Sequence, residues 1–232
     1  MSVRRLAQAQ PESFEFAPDT LERIRDWMAK YPEGRQASAV IPALWIVQKQ
    51  CEGWLPEPAM RAVADLLGMA YMRVYEVATF YTMFNLGPVG EHLIQVCGTT
   101  PCWLRGAEAL KAVCEKRIGP KGSVSADGKF SWMEVECLGA CVNAPMVQIS
   151  NAQTDAYFED FTAESFEALL DRLAGGEPVR PGPQSGRDAS APEGEPTSLT
   201  EASLYDGSRA APLTAIPNAP RAGTETETEA ET

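Results

Sequence analysis

Apolar residues recur at helical spacing along the first third of the chain. One set lies at positions 21, 24, 27 and 28. Asp19, two residues before this set, and Glu22, three residues after Asp19, have the spacing of a capping box. A second helix is predicted around residues 40–47, and a third from Pro58 to Gly68. The segment 71–84 is aromatic and apolar enough to be buried or to face a partner. The pattern therefore predicts an N-terminal helical domain over residues 1–88.

From residue 89 onward, strand and helix signals alternate. Short apolar runs predict strands at 92–97, 130–137, 146–149 and 157–161. One helix is predicted over 103–118, and Thr162 caps a last helix that Gly175 and Gly176 end. A mixed sheet with a helix early and a helix late resembles the thioredoxin layout, without its redox Cys-x-x-Cys. The expected fold class is α+β: a helical bundle followed by a thioredoxin-like α/β domain over residues 89–176.

The last quarter of the chain has a different composition. Residues 177–232 are rich in Pro, Gly, Ser, Thr and Glu and end in alternating Thr and Glu. Such a segment cannot bury enough apolar surface to offset the entropy of ordering it. We therefore predict a disordered acidic tail over residues 177–232.

Charge and apolar runs exclude several classes of function. The net charge is −12, which argues against a nucleic-acid partner, since phosphate binding needs a basic surface. No apolar run approaches the roughly 20 residues that span a bilayer, so no direct membrane insertion is expected. The first residues lack the apolar stretch of an export signal, which is typical of a bacterial cytoplasmic protein. Without a Gly-x-Gly-x-x-Gly or Walker sequence, we expect no NADH or FMN site in this chain.

Four cysteines form two tight pairs. Cys97 and Cys102 stand in Val-Cys-Gly-Thr-Thr-Pro-Cys-Trp, and Cys137 and Cys141 stand in Glu-Cys-Leu-Gly-Ala-Cys-Val-Asn. Each pair follows a predicted strand, and four thiolates suit an iron–sulfur cluster, zinc or copper(I). Gaps of four and three residues favour a two-iron cluster over zinc, which more often uses Cys-x-x-Cys. Free or disulfide-forming cysteines are the third alternative.

Other residues are expected either to tune the centre or to have structural roles only. Gly98 and Gly139 would allow backbone close to it, and Thr99 or Thr100 could donate hydrogen bonds to sulfur. Acidic surroundings at positions 134 and 136 would disfavour reduction. The remaining cysteines at 51 and 114, and the single histidine at 92, are expected to be structural.

Three segments together resemble a known family. Residues 74–84, 94–103 and 136–145 are similar to the thioredoxin-like two-iron ferredoxin subunit of respiratory NADH:quinone oxidoreductase, complex I, and the resemblance runs from about residue 16 to 173. It implies one [2Fe–2S] cluster with the ligands Cys97, Cys102, Cys137 and Cys141. It also implies a partner subunit that binds FMN and NADH, next to other peripheral-arm subunits on the cytoplasmic side of the bacterial inner membrane. The chain would accept or store one electron from FMN as a subunit of that enzyme.

Two alternatives and two structural questions stay open at this point. Related subunits serve in NAD-linked formate dehydrogenases and hydrogenases, and a zinc-stabilised interaction module would need no electron transfer. The aromatic residues at 80–84 and Trp103 suit either contact with the flavin subunit or core packing. The peptide before Pro145 could be cis or trans.

Overall fold

The computed structural model describes residues 4–186 and the isolated positions 198, 200, 201 and 203. Residues 4–186 belong to one compact unit. Most of the predicted disordered tail lies outside the described residues. Within the part that the structure describes, no helix is both long and apolar enough to cross a membrane.

Four helices make up the N-terminal region: α1 Pro18–Met28, α2 Val40–Gln50, α3 Glu57–Leu67 and α4 Tyr71–Phe80, with a 3₁₀ turn at Gln36–Ala39 before α2. Their apolar faces meet in one helical core, which includes Ile24, Leu44, Met60 and Val74. Gly68 ends α3 in the left-handed conformation, as predicted. The predicted capping box of α1 is wrong. The helix already begins at Pro18, whose fixed φ suits a first turn, so Asp19 lies inside that turn and no side chain caps it.

Five strands form one mixed sheet in the order β2-β1-β3-β4-β5. Their bounds are β1 His92–Cys97, β2 Phe130–Val135, β3 Met146–Ser150, β4 Asp155–Glu159 and β5 Gly182–Pro183. The β1–β2 and β4–β5 pairs are parallel, whereas β3 is antiparallel to both β1 and β4. A parallel pair needs a crossover connection, and helices supply it between β1 and β2.

That crossover differs from the single helix predicted over residues 103–118. It consists of α5 Thr100–Leu104 and α6 Ala107–Arg117. Gly106 separates them with a φ of 101°, a conformation that glycine adopts readily and that ends a helix. The last helix, α7 Ala163–Ala174, begins with the predicted Thr162 cap, which accepts a hydrogen bond from the Ser165 amide. Helices α6 and α7 pack on one side of the sheet and share the sheet core with Ile94, Val96 and Val147.

The expected start of the tail at residue 177 needs one correction. Residues 182–183 pair with β4 as the edge strand β5, and the Gln184 amide donates to the Glu159 carbonyl at 2.9 Å. Val179 also packs against the sheet core. The physical reason is that β4 would otherwise present unpaired backbone groups at the sheet edge. The predicted boundary near residue 88 stays a prediction, supported by the separate cores on its two sides.

Candidate metal centre

The topology brings the two cysteine pairs to one edge of the sheet. Cys97 is the last residue of β1 and lies opposite Val135, the last residue of its parallel neighbour β2. Cys137 follows two residues later. Cys102 lies in α5, directly after β1, and Cys141 begins a 3₁₀ turn over Cys141–Asn143. Residues that follow parallel strands meet at the same edge of a sheet, so the four predicted site residues come together there.

Contacts of the sulfur atoms are short within the second pair. The Sγ atoms of Cys137 and Cys141 are 3.4 Å apart, and Cys97 influences the pKa values of both Cys102 and Cys137. Among the described residues, no group of three or more His, Cys, Asp or Glu side chains is placed so that it could hold a metal ion. The four cysteines are arranged as two pairs at one sheet edge. Four thiolates are the donor set of a [2Fe–2S] cluster, so the residues present fit that group.

The two pairs differ in burial. Cys97 and Cys102 are each 1% exposed and pack against Ala107, Ala144 and Met146. Cys137 is exposed and Cys141 is half-buried. The peptide between Ala144 and Pro145, just after the second pair, is cis. One pair is therefore held by packed side chains, and the other lies in a surface loop at the rim of the site.

In each pair the surroundings lower the pKa of one thiol and raise that of the other. Burial raises the pKa of Cys97, but hydrogen bonds from Thr99, Cys102 and the Leu138 amide outweigh it, so the net pKa is lowered. Burial and the bond to Cys97 raise the pKa of Cys102 to about 12.

The second pair repeats this asymmetry. The Gly139 amide, followed by Cys141 and Thr99, lowers the pKa of Cys137, and the bond to Cys137 raises the pKa of Cys141. Each pair thus holds one thiol whose pKa is lowered and one whose pKa is raised. Metal binding would release the thiol protons, because thiolate is the binding form.

The two threonines considered as hydrogen-bond donors occupy different environments. The Thr99 hydroxyl lies 3.3 Å from the Sγ of Cys97. Thr100, one residue later at the start of α5, is exposed. Because a thiolate sulfur can only accept, the Thr99 hydroxyl would donate to Cys97 in the metal-bound form. Thr99 is therefore the tuning residue that the geometry supports.

Gly98 lies against Glu134. A Cβ added at Gly98 would lie 2.2 Å from Oε1 of Glu134, so a larger residue here would meet that side chain, and the expected approach of the Gly98 backbone to the centre stays a prediction. The carboxylate of Glu134 is held by Lys111 at 3.0 Å and Lys121 at 3.3 Å, and these contacts lower its pKa. Lys111 also pairs with Glu108, and the predicted disfavouring of reduction by positions 134 and 136 stays a prediction. Gly139 has a φ of 87°, which glycine adopts without strain.

The remaining predicted structural residues lie apart from the four sulfurs. Cys114 is buried in the sheet core, where burial raises its pKa to about 12. Burial likewise raises the pKa of Cys51, in the helical region, to about 11. His92 is buried against Phe130, with ring centroids 5.7 Å apart.

Two hydrogen bonds that support the second pair were not predicted from the sequence. The Tyr157 hydroxyl donates to the Leu138 carbonyl at 2.9 Å, and the Asn143 side-chain amide donates to Glu159 at 2.7 Å. The alternation of polar side chains at positions 155, 157 and 159 was the available signal. It did not reveal which loop those side chains reach.

The aromatic and apolar residues near residue 80 and around the cysteines divide between core and surface. Phe84 is fully buried in the helical core, whereas Phe80 is 77% exposed. Beside the cysteines, Trp103, Leu104 and Val142 are all exposed. The alternative of core packing therefore holds for Phe84, and the rim of the sulfur site carries exposed apolar side chains.

Comparison with known proteins decides the family. The sequence profile of the thioredoxin-like [2Fe-2S] ferredoxins matches residues 24–174. The chain belongs to this family. Its cofactor is a [2Fe–2S] cluster, in agreement with the donor set described above. As a thioredoxin-like [2Fe-2S] ferredoxin, the chain shows the α/β fold that its second region was expected to have.

Several relatives of this ferredoxin are named as parts of NADH-oxidising enzymes. An NADH-quinone oxidoreductase subunit of Rhizobium meliloti is 51% identical over 205 residues, which cover 86% of this chain and 73% of the relative. An NADH-quinone oxidoreductase subunit of Rickettsia bellii is 52% identical over 162 residues, which cover 69% of this chain and 95% of the relative. The mitochondrial NADH dehydrogenase [ubiquinone] flavoprotein 2 of Dictyostelium discoideum is 44% identical over 188 residues, which cover 80% of this chain and 74% of the relative.

A solved structure shares the fold. The air-oxidised NAD+-reducing [NiFe]-hydrogenase matches with a TM-score of 0.50 and 18% identity, covering 60% of this chain and 23% of the hydrogenase chain. At that identity, the likeness concerns the fold of the ferredoxin alone.

Proposed function

We propose that this chain is the electron-transfer subunit of an NADH:quinone oxidoreductase and that Cys97, Cys102, Cys137 and Cys141 bind its [2Fe–2S] cluster. The observation that carries the proposal is the meeting of these four cysteines at one sheet edge, where Cys97 ends β1 opposite the last residue of β2 and Cys137 follows two residues after β2. The names of the relatives at 44–52% identity support the choice of enzyme. Such a cluster supplies one-electron redox chemistry when bound.

The residues around the sulfurs donate hydrogen bonds that would stabilise an anionic group at the site. Thr99 and the Gly139 amide direct hydrogen bonds at the sulfurs of Cys97 and Cys137, which favours added negative charge there. The buried pair fixes one side of the centre against packed side chains, and Lys111 and Lys121 pair with Glu134. The chain's own contribution is therefore a sulfur site with one buried pair, hydrogen-bond donors at Cys97 and Cys137, and an exposed side at Cys137.

We further propose that the open side faces the flavin subunit. Exposed Trp103, Leu104 and Val142 border the cysteines there, and exposed apolar residues around a functional site suit a partner surface. In this arrangement the chain accepts or stores one electron from FMN, which the partner binds with NADH. Other peripheral-arm subunits would complete the assembly on the cytoplasmic side of the membrane.

The test is spectroscopy of the full chain and of single cysteine variants. Absorption and low-temperature EPR spectra are recorded as purified and after dithionite, with iron and zinc measured in the same samples. We expect visible bands that bleach on reduction, a spin-half signal, and two irons per chain. Each of C97S, C102S, C137S and C141S should lose or alter that signal.

Cys51→Ser provides the matched control, because Cys51 lies in the helical region away from the sulfur site. Its spectra should equal those of the unmodified chain. A colourless chain that contains zinc would refute the electron-transfer proposal. Normal spectra in any of the four site variants would refute the proposed ligand set.

A further inference from the structure

Strand β4 carries three polar residues at alternate positions, and each is bonded outside its own strand. Asp155 pairs with Lys49 of α2 at 2.9 Å, the Tyr157 hydroxyl donates to the Leu138 carbonyl, and Glu159 accepts from the Asn143 amide. Successive side chains of a strand point to opposite faces. Phe158 accordingly lies in the sheet core. The polar side chains of β4 thus contact α2 and the loop that holds the second cysteine pair.

Two of these contacts reach the loop of residues 137–143, which holds the exposed cysteine pair. Leu138 directly follows Cys137, and Asn143 is the last residue of the turn that Cys141 begins. The Asp160 amide, next to the end of β4, also donates to the Asn143 carbonyl at 2.9 Å. The buried pair is held by packing against Ala107, Ala144 and Met146, whereas hydrogen bonds from β4 hold the exposed pair.

The contact of Tyr157 involves a single peptide unit. Its hydroxyl binds the carbonyl oxygen of Leu138 at 2.9 Å. The other polar group of that planar unit is the N–H of Gly139, which donates to the Sγ of Cys137 at 3.4 Å. In a trans peptide the C=O and N–H point in opposite directions. Fixing the oxygen therefore also fixes the direction in which the N–H points at sulfur.

We propose that Tyr157 is a positioning residue that sets the hydrogen bond to Cys137 through the Leu138–Gly139 peptide, and thereby the reduction potential of the centre. The proposal rests on the proposed function in that Cys137 must be a cluster ligand. Hydrogen bonds to ligand sulfur are among the factors that set iron–sulfur potentials. Gly139, with its φ of 87°, has no side chain that could hold this peptide unit in place, and the Tyr157 hydroxyl holds its carbonyl oxygen.

The test compares Tyr157→Phe with Tyr81→Phe in the full chain. Both substitutions remove one phenolic hydroxyl from side chains of equal exposure, 38% and 39%, and Tyr81 lies in the helical region. We expect Y157F to keep two irons per chain and to show a more negative midpoint potential by EPR-monitored titration. We expect the equilibrium constant for reduction to fall by up to tenfold, which corresponds to a shift of the midpoint potential by up to about 59 mV for one electron. Y81F should match the unmodified chain.

Resonance Raman spectroscopy supplies the second readout. Exchange of N–H for N–D should shift the Fe–S(Cys) stretching bands in the unmodified chain, and Y157F should show a smaller shift. The spectrum reports only the loaded fraction, so partial iron loss leaves it interpretable. An unchanged potential together with an unchanged isotope shift would overturn the positioning role, as would complete loss of iron in Y157F alone. Absence of a two-iron cluster from the unmodified chain would instead refute the proposed function.

Discussion

Replacing Thr99 by valine tests whether a single hydroxyl tunes the proposed cluster. Valine has nearly the shape of threonine, so the change removes the oxygen that lies 3.3 Å from the Sγ of Cys97 and retains the β-branched side chain. Reduction makes the sulfurs more negative, so a donated hydrogen bond stabilises the reduced form more than the oxidised form. We therefore expect T99V to lower the midpoint potential.

The size of this shift follows from the strength of the bond. A hydrogen bond to a charged partner is worth about 1.5–3 kcal/mol. The sulfurs already carry negative charge when oxidised, so only the gain on reduction counts, and we take this gain as about 1 kcal/mol. For one electron, a tenfold change in equilibrium constant is about 59 mV, which makes the expected shift roughly 40 mV toward negative values.

Thr100→Val is the matched control, since it makes the same chemical change one residue later at an exposed position. EPR-monitored redox titration of the two variants and the unmodified chain gives the midpoint potentials, and circular dichroism verifies the fold. A shift in T99V without a shift in T100V supports the argument. Equal potentials in T99V and the unmodified chain would refute it, as would equal shifts in both variants.

Two further predictions concern stability, each measured by urea unfolding. Gly98→Ala should lower the free energy of unfolding by about 1 kcal/mol, at the low end for overpacking, because the new Cβ meets the flexible end of Glu134 at 2.2 Å. Adding Glu134→Ala should restore the lost stability. Failure of that rescue would contradict the assigned clash. Lys49→Met should cost about 2–3 kcal/mol, somewhat below the value for a fully buried pair, because Lys49 and Asp155 are 11% and 18% exposed. A smaller loss in the double variant Lys49→Met/Asp155→Asn is the expected sign of the unpaired carboxylate, and a loss equal to the sum of the two single changes would argue against it.

Local chemistry accounts for the parts of the fold that could be predicted. The bounds of β1, the end of α3 at Gly68 and the Thr162 cap of α7 all match the structure. Each depends on residues within a few positions of one another. Two local predictions, the α1 capping box and the unbroken helix over 103–118, failed because of competing signals from Pro18 and Gly106. The strands predicted at 130–137 and 157–161 are shifted to Phe130–Val135 and Asp155–Glu159.

The sequence by itself determined the four cysteines, their pairing along the chain and the chemistry that thiolates offer, because ligand type and short spacing are local properties. Only the tertiary structure decided what surrounds them. The parallel register of β1 and β2 places Cys97 near Cys137, the folding of α6 brings Lys111 to Glu134, and β4 brings Tyr157 to Leu138. These partners are 19 to 40 residues apart along the chain, and the packing of helices and strands sets their distances. No local pattern carries that information.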